Sequence, residues 1–338
     1  MEKKNKEKAT VYSGGKLYIG GEYSVLIPGQ SSIIKNINIF MKGELEFSET
    51  YSIYSDMYDY CVKLEQEDRN YSLIQETVRT VNEYFKLKGI KLSPFNLKIT
   101  GKMEKEGKKY GIGSSGSIVV LIVKGMAKLY GYYISDEMTF KLSAYVLMKR
   151  GDNGSMGDIA CIAYGSLILY TSFNRDEIRR RIKSEEFMEV IDSSWGYTVE
   201  KLSCPYESCE LIVGWTKKPA ISKDMVNKVK DSINEKFLQK SEYIIKKLKE
   251  GIKSGDRESI EKYVNENGEL LKSLNALIYS EELEKLVKTA KNLGICAKSS
   301  GAGGGDCGIA ISFQYEGSEK LILEWEKEGI ELLYREKL

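Results

Sequence analysis

Four stretches of the chain combine glycine with hydroxyl, acidic or basic side chains in a way that could handle phosphate: KLYIGGEYSVL (16–26), GIGSSGS (111–117), GDNGSMGDIA (151–160) and SSGAGGGDCGIAI (299–311). Small residues let backbone approach an anion, and a helix starting at such a loop aims unpaired N–H groups at it. Gly111, Gly113 and Gly116 spell G-x-G-x-x-G, the dinucleotide fingerprint. That fingerprint needs a strand running straight into the glycines, whereas the strand-like FNLKIT (95–100) is separated from Gly111 by the charged GKMEKEGKKY. A phosphate loop of Walker type needs Lys and a hydroxyl residue after its last glycine, and here Ser117 and Ile118 follow Gly116. The protein-kinase catalytic loop needs a histidine, and the chain has none. Two readings of the stretch stay open at this level: a core helix capped after a flexible turn, or the same helix holding a phosphate, with the hydroxyls of Ser114 and Ser115 on the anion or on a metal.

The absence of histidine confines any proton transfer near neutral pH to carboxylate, Lys, Tyr or Cys, or to a reaction that needs none. Charges nearly cancel, Lys+Arg 51 against Asp+Glu 49, so no electrostatic footprint points to nucleic acid or a membrane surface. A small charged ligand needs only a local patch. The six cysteines show no C-x-x-C spacing; Cys204 and Cys209 bracket Pro205 and could form a redox or metal pair, but scattered free thiols in a reducing compartment are the simpler reading. The opening MEKKNKEKAT is charged rather than signal-like, and no apolar run approaches the roughly 20 residues that span a bilayer. A cytoplasmic location is expected.

The elements that must position these loops read as α+β. At 338 residues, 42% of them hydrophobic, the chain has core material for about two domains. The first ten residues read as a solvated tail, IIKNINIFMKGELEFSE (33–49) as paired strands, and 71–88 as a helix carrying Leu73, Ile74, Val78, Val81, Tyr84 and Phe85 at helical spacing. Helices are expected over 115–130 and over 135–150, the latter capped by Ser135 or Asp136, then a glycine-rich turn, a short helix and a strand within 151–173. In the second half, ELIVGWT (210–216) reads as a strand. Met225, Val229, Ile233 and Phe237 open one long amphipathic helix, with further helices near 257–277, 281–293 and 318–328, and a strand at 308–313. Strands and helices mix without regular βαβ alternation, and no repeat or low-complexity linker separates the halves.

Taken together and in order, the four stretches resemble the GHMP kinase superfamily of small-molecule, ATP-dependent kinases. Within it, GGEYSVL, GDNGSMGDIA, VGWTKKPAISKDMV (213–226), SSGAGGGDCGIAI and the terminal GIELLYREKL are most similar to the bacterial-type phosphomevalonate kinases. One departure is visible: the general superfamily loop has a Pro four residues before its first glycine, where this chain has Gly107 followed by Lys108 and Lys109. The resemblance implies a two-domain fold, with a ribosomal-protein-S5-like domain over 1–200 and a ferredoxin-like domain over 201–338. It implies transfer of the γ-phosphoryl of ATP to (R)-5-phosphomevalonate with Mg²⁺. The rivals are mevalonate kinase or another kinase of the superfamily, and a non-catalytic ligand-binding regulator on the same fold.

The resemblance also distributes roles. Lys16 and Asp158 match the catalytic pair; Gly111, Gly113, Ser114, Ser115, Gly116 and Ser117 would wrap the ATP phosphates, with Ser115 the contact to the metal. Tyr23, Asn153, Gly154, Ser155, Ser300, Ala302 and Gly303 would line the acceptor site. Asp306 and Cys307 precede a strand without a base partner and are read as structural.

Overall fold

The computed structural model describes residues 8–220 and 222–338. Its first half is built on a seven-stranded sheet. In chain order come β1 (Lys8–Gly20), β2 (Ser31–Phe47), β3 (Ser52–Ser55), β4 (Cys61–Val62), α1 (Ser72–Leu87) and β5 (Phe95–Thr100). There follow a small hairpin of β6 (Glu104–Lys105) and β7 (Lys108–Lys109), then α2 (Ser114–Leu129), α3 (Asp136–Lys149), α4 (Gly157–Tyr164), β8 (Leu167–Thr171), α5 (Arg175–Ser184), α6 (Phe187–Asp192) and β9 (Thr198–Leu202). The sheet runs β4-β3-β5-β2-β8-β9 with β1 on the other edge of β2, and only the β3–β5 pair is parallel.

α2 is the central helix: nearly every side chain from Gly116 to Leu129 is buried, as its unbroken apolar run requires. It packs on β1 and β2 and is surrounded by α1, α3 and α4.

The second half consists of β10 (Glu210–Trp215), α7 (Ser222–Val229), α8 (Glu235–Ser254), α9 (Arg257–Leu274), α10 (Glu281–Asn292), β11 (Cys296–Ser299), β12 (Cys307–Ser312), α11 (Tyr315–Lys327) and β13 (Glu331–Lys337). Its four-stranded antiparallel sheet has the order β11-β12-β10-β13. Numbered within this half, that is 2-3-1-4, the ferredoxin-like arrangement. The α+β architecture with two main sheets that the resemblance implies is thus present.

Several local expectations are corrected. Residues 33–49 do not turn back on themselves. β2 is one 17-residue strand, and its Gly43 is a point of close approach, where a Cβ would lie 3.1 Å from Leu121 Cγ. Residues 8–10 belong to β1 rather than to a tail, with Ala9 buried, and residues 1–7 lie outside the described residues. The expected long helix after 225 is interrupted: α7 ends in a 3₁₀ turn, and α8 restarts at Asn234, whose side chain accepts the N–H of Phe237 at 3.0 Å.

Candidate active site

β1 carries the lysine, and its geometry explains where that lysine points. The register against β2 slips between Ser13 and Gly15, a bulge held by the Asn36 amide donating to Gly15 O at 2.8 Å. Beyond the bulge, the free edge of β1 is satisfied by two glycine-rich loops instead of a strand. The N–H of Lys16 donates to Ile112 O at 2.8 Å, within GIGSSGS. The N–H of Tyr18 donates to Ser300 Oγ at 2.9 Å, in SSGAGGG, and that hydroxyl lies 3.1 Å from Tyr18 O. The β1 segment that carries Lys16 is therefore held by both loops at once.

GIGSSGS turns into α2 through Gly113, which is left-handed at φ 91° and lies under the Lys16 stem: a Cβ there would sit 3.2 Å from Lys16 Cγ and Cε. No side chain caps α2, so the N–H groups of its first turn stay free for an anion. Ser114 is half-buried and Ser115 exposed at this opening. Ser114 also lines a narrow crevice with Met41, Met57, Met103 and Lys109. Ser117 points the other way. It is fully buried, with Oγ 2.7 Å from Gly14 O and 3.1 Å from Gly113 O, so its side chain braces the loop from beneath.

A second helix start converges on the same spot. α4 begins after left-handed Met156 (φ 65°) and has Asp158 in its first turn. A Cβ on Gly116 would lie 2.7 Å from Ile159 Cδ1 and 3.7 Å from Asp158 Oδ2, so α2 and α4 meet at their N-termini. Asp158 is half-buried. Burial pushes its carboxyl above the usual value; Lys16 pulls it back, Asp152 adds to the rise, and the N–H groups of Ile159 and Asp158 favour the ionised form. Tyr18, two residues from Lys16 on the same face of β1, has its phenol 3.2 Å from Ser155 Oγ and its ring 5.4 Å from the Lys16 ammonium. Burial, then the charge on Asp158, raises the Tyr18 pKa, so the phenol stays protonated.

The residues expected at the acceptor site are distributed around this centre. Tyr23 donates from its hydroxyl to Ala302 O at 2.5 Å, joining the first stretch to the last. Ser155 is buried beside Tyr18 and also accepts the Gly157 N–H at 3.1 Å. Asn153 and Gly154 lie further out: the Asn153 amide reaches Asn227 of α7 at 3.4 Å, and the Gly154 N–H is taken by Asp152 at 2.7 Å. Gly303 packs on the 276–278 turn so closely that a Cβ would stand 2.3 Å from Ile278 O. The hydroxyl of Ser300 is spent on Tyr18 backbone, which gives that residue a role in placing β1.

Two groups were not anticipated. Tyr18 could have been found from its i+2 spacing to Lys16. Asp306, read as structural, brings its carboxylate against Gly111. Burial raises its pKa, opposed by the Ala220 N–H and the charges of Lys16 and Lys109.

A helix start free for an anion, beside one lysine and one carboxylate, suits phosphoryl transfer to a small molecule. The chain belongs to the GHMP kinases: the family's N terminal domain model matches residues 72–166, and the GHMP kinases C terminal model matches residues 248–331. Phosphomevalonate kinase of Streptococcus pneumoniae, solved in complex with phosphomevalonate and AMPPNP, is 45% identical and superposes with a TM-score of 0.94, covering 97% of this chain and 99% of that one. A phosphomevalonate kinase of Streptomyces sp. (strain CL190) is 25% identical over 335 residues, 89% of this chain and 88% of that protein. A mevalonate kinase of Methanocaldococcus jannaschii is 28% identical over 222 residues, 66% of this chain and 64% of that protein.

Proposed function

We propose that the chain is an ATP-dependent phosphomevalonate kinase: the terminal phosphate oxygen of (R)-5-phosphomevalonate attacks the γ-phosphorus of ATP, the bond to the β,γ-bridging oxygen breaks, and (R)-5-diphosphomevalonate and ADP leave, a step of the mevalonate route to isoprenoids. The observation that carries this is similarity to the S. pneumoniae enzyme over nearly the full chain, at 45% identity. The γ-phosphate sits over the N-terminus of α2, held by the backbone of Gly111, Gly113 and Gly116 and the hydroxyls of Ser114 and Ser115. Lys16 lies between donor and acceptor phosphates, where a fixed ammonium offsets their repulsion.

A phosphate monoester has a second pKa of about 6 and is largely dianionic near pH 7, so little proton abstraction is required. Asp158 is accordingly a positioning carboxylate, orienting Lys16 and the acceptor, rather than a general base. Tyr23, Asn153, Gly154, Ser155 and the backbone of Ser300, Ala302 and Gly303 form the acceptor side. The halves are taken as 1–200, carrying the ATP loop and the catalytic pair, and 201–338; the strands fall into two main sheets on either side, with β9 running on to Leu202 in the first.

Mg²⁺ fits the residues present. Ser115 and Asp158 are hard oxygen donors on the adjoining starts of α2 and α4, and Mg²⁺ needs only one or two protein ligands beside substrate phosphates and water. No cluster of three acidic or thiol ligands occurs among the described residues. When bound, Mg²⁺ supplies charge neutralisation at the β- and γ-phosphates. No helix among the described residues is long and apolar enough to cross a membrane, and six unpaired cysteines accord with a cytoplasmic enzyme.

The test is an ATP-consumption screen over phosphomevalonate, mevalonate, homoserine and galactose. Phosphomevalonate should exceed the others in kcat/KM by at least about a hundredfold. Preference for mevalonate would establish the mevalonate kinase reading instead, and no turnover with any acceptor the regulator reading.

A further inference from the structure

The tripeptide Gly111–Gly113 is gripped from two sides. On one side stands Lys16, whose N–H bonds Ile112 O and whose stem lies on Gly113. On the other stands Asp306, from the loop before β12. Its side chain fills the space beside Gly111 so completely that an added Cβ would lie 2.2 Å from Asp306 Oδ2. Asp306 is 8% exposed and left-handed at φ 54°, a conformation that a non-glycine residue adopts only when its surroundings fix it.

The hydrogen-bond partners of Asp306 are all from the GWTKKPA segment. The Asp306 N–H donates to Lys218 O at 2.7 Å, its carbonyl takes the N–H and the hydroxyl of Thr216, both at 2.9 Å, and its Oδ1 takes the Ala220 N–H at 3.0 Å. Neighbouring contacts run the same way: the Cys307 thiol donates to Tyr110 O at 3.1 Å, and Tyr110 packs edge-on against Trp215, centroids 5.0 Å apart.

We infer that Asp306 is a positioning residue for phosphoryl transfer, which sets the Gly111–Gly113 backbone against the second sheet and, through Ile112 and Gly113, sets Lys16. This rests on the reading of Lys16 as the cation of the transfer site. A buried carboxylate next to an anion-binding loop is unfavourable by itself. Packing alone would be served by an amide of the same shape. The charge has a use where the positive charges of Lys16 and Lys109 favour it, and where it must hold a loop that carries no side chain of its own at Gly111.

The experiment is a double-mutant cycle of Asp306→Asn with Lys16→Met, read as kcat, KM for ATP and denaturation midpoint, with phosphomevalonate as acceptor. Asp306→Asn should lower kcat at least tenfold without lowering the midpoint, and in the Lys16→Met background it should cause less than a further threefold loss. Gly111→Ala, which forces the same contact apart from the loop side, should lower kcat likewise and serves if Asp306→Asn does not fold. Lys16→Met crippled while Asp306→Asn, or Gly111→Ala in its place, keeps kcat within threefold of wild type overturns the inference. So do losses that multiply in full in the double variant. Lys16→Met at wild-type rate overturns the reading of Lys16, and with it this route of action.

Discussion

Lys298 and Glu22 form an ion pair across the two halves of the molecule, with side-chain exposures of 0% and 2%. Glu22 follows β1 in the first stretch and Lys298 lies in β11, just before the last. The second carboxylate oxygen of Glu22 accepts the Asn267 amide at 3.0 Å, and the ammonium also donates to Ser299 O at 2.6 Å and reaches Tyr18 O at 3.5 Å. Burial lowers the Lys298 pKa and Glu22 counters that shift, so the pair is satisfied only as a pair.

Lys298→Met leaves Glu22 charged and enclosed. It should lower the unfolding free energy by roughly 3–5 kcal/mol, whereas Lys298→Met with Glu22→Leu should recover most of the loss. Denaturant titration of the three proteins checks this. A single variant within 1 kcal/mol of wild type by that titration, about the scale of an exposed pair, would mean that the pair is not closed to water.

Asp158→Asn should lower kcat at least about tenfold with little change in ATP affinity, since a positioning carboxylate acts mainly on the transition state. Stability should move the other way. The folded carboxyl is held above its unfolded pKa, so between the two values the native state binds more protons and gains stability as pH falls. At pH 7 the amide variant should thus be at least as stable as wild type. Its advantage should shrink as pH falls through the raised pKa toward about 4, the ordinary value for Asp. Thermal midpoints across that range test the sign, and an advantage that grows on acidification contradicts it.

How far the sequence reached is clearest at individual residues. The loops were legible because their glycines stand where no Cβ fits, as at Gly111 against Asp306 and Gly303 against Ile278. The direction of a hydroxyl was not. Ser114, Ser115 and Ser117 look alike in the sequence, yet Ser117 faces the core and Ser115 the opening. β11 went unseen because CAKS is four residues long and contains a lysine, which reads as exposed until Glu22 is found beside it. α5, RDEIRRRIKS, buries only Arg175 and Ile178 and so carries too little apolar pattern to declare itself.

Ser115→Ala should raise the Mg²⁺ concentration giving half-maximal rate by several-fold, because a hard oxygen beside the β- and γ-phosphates is lost. Titrating rate against Mg²⁺ at fixed ATP distinguishes the possibilities. If the Mg²⁺ curve matches wild type while KM for ATP rises, the hydroxyl binds phosphate and not metal.

Lys16→Met bears most directly on the account, because the substitution keeps the stem that packs on Gly113 and removes only the ammonium. With phosphomevalonate and saturating Mg-ATP, kcat should fall about a hundredfold, equivalent to roughly 3 kcal/mol of lost transition-state stabilisation, while the denaturation midpoint stays near wild type. A Lys16→Met enzyme that keeps kcat within threefold of wild type would show that the lysine seated between the two glycine loops is not the group that brings the two phosphates together.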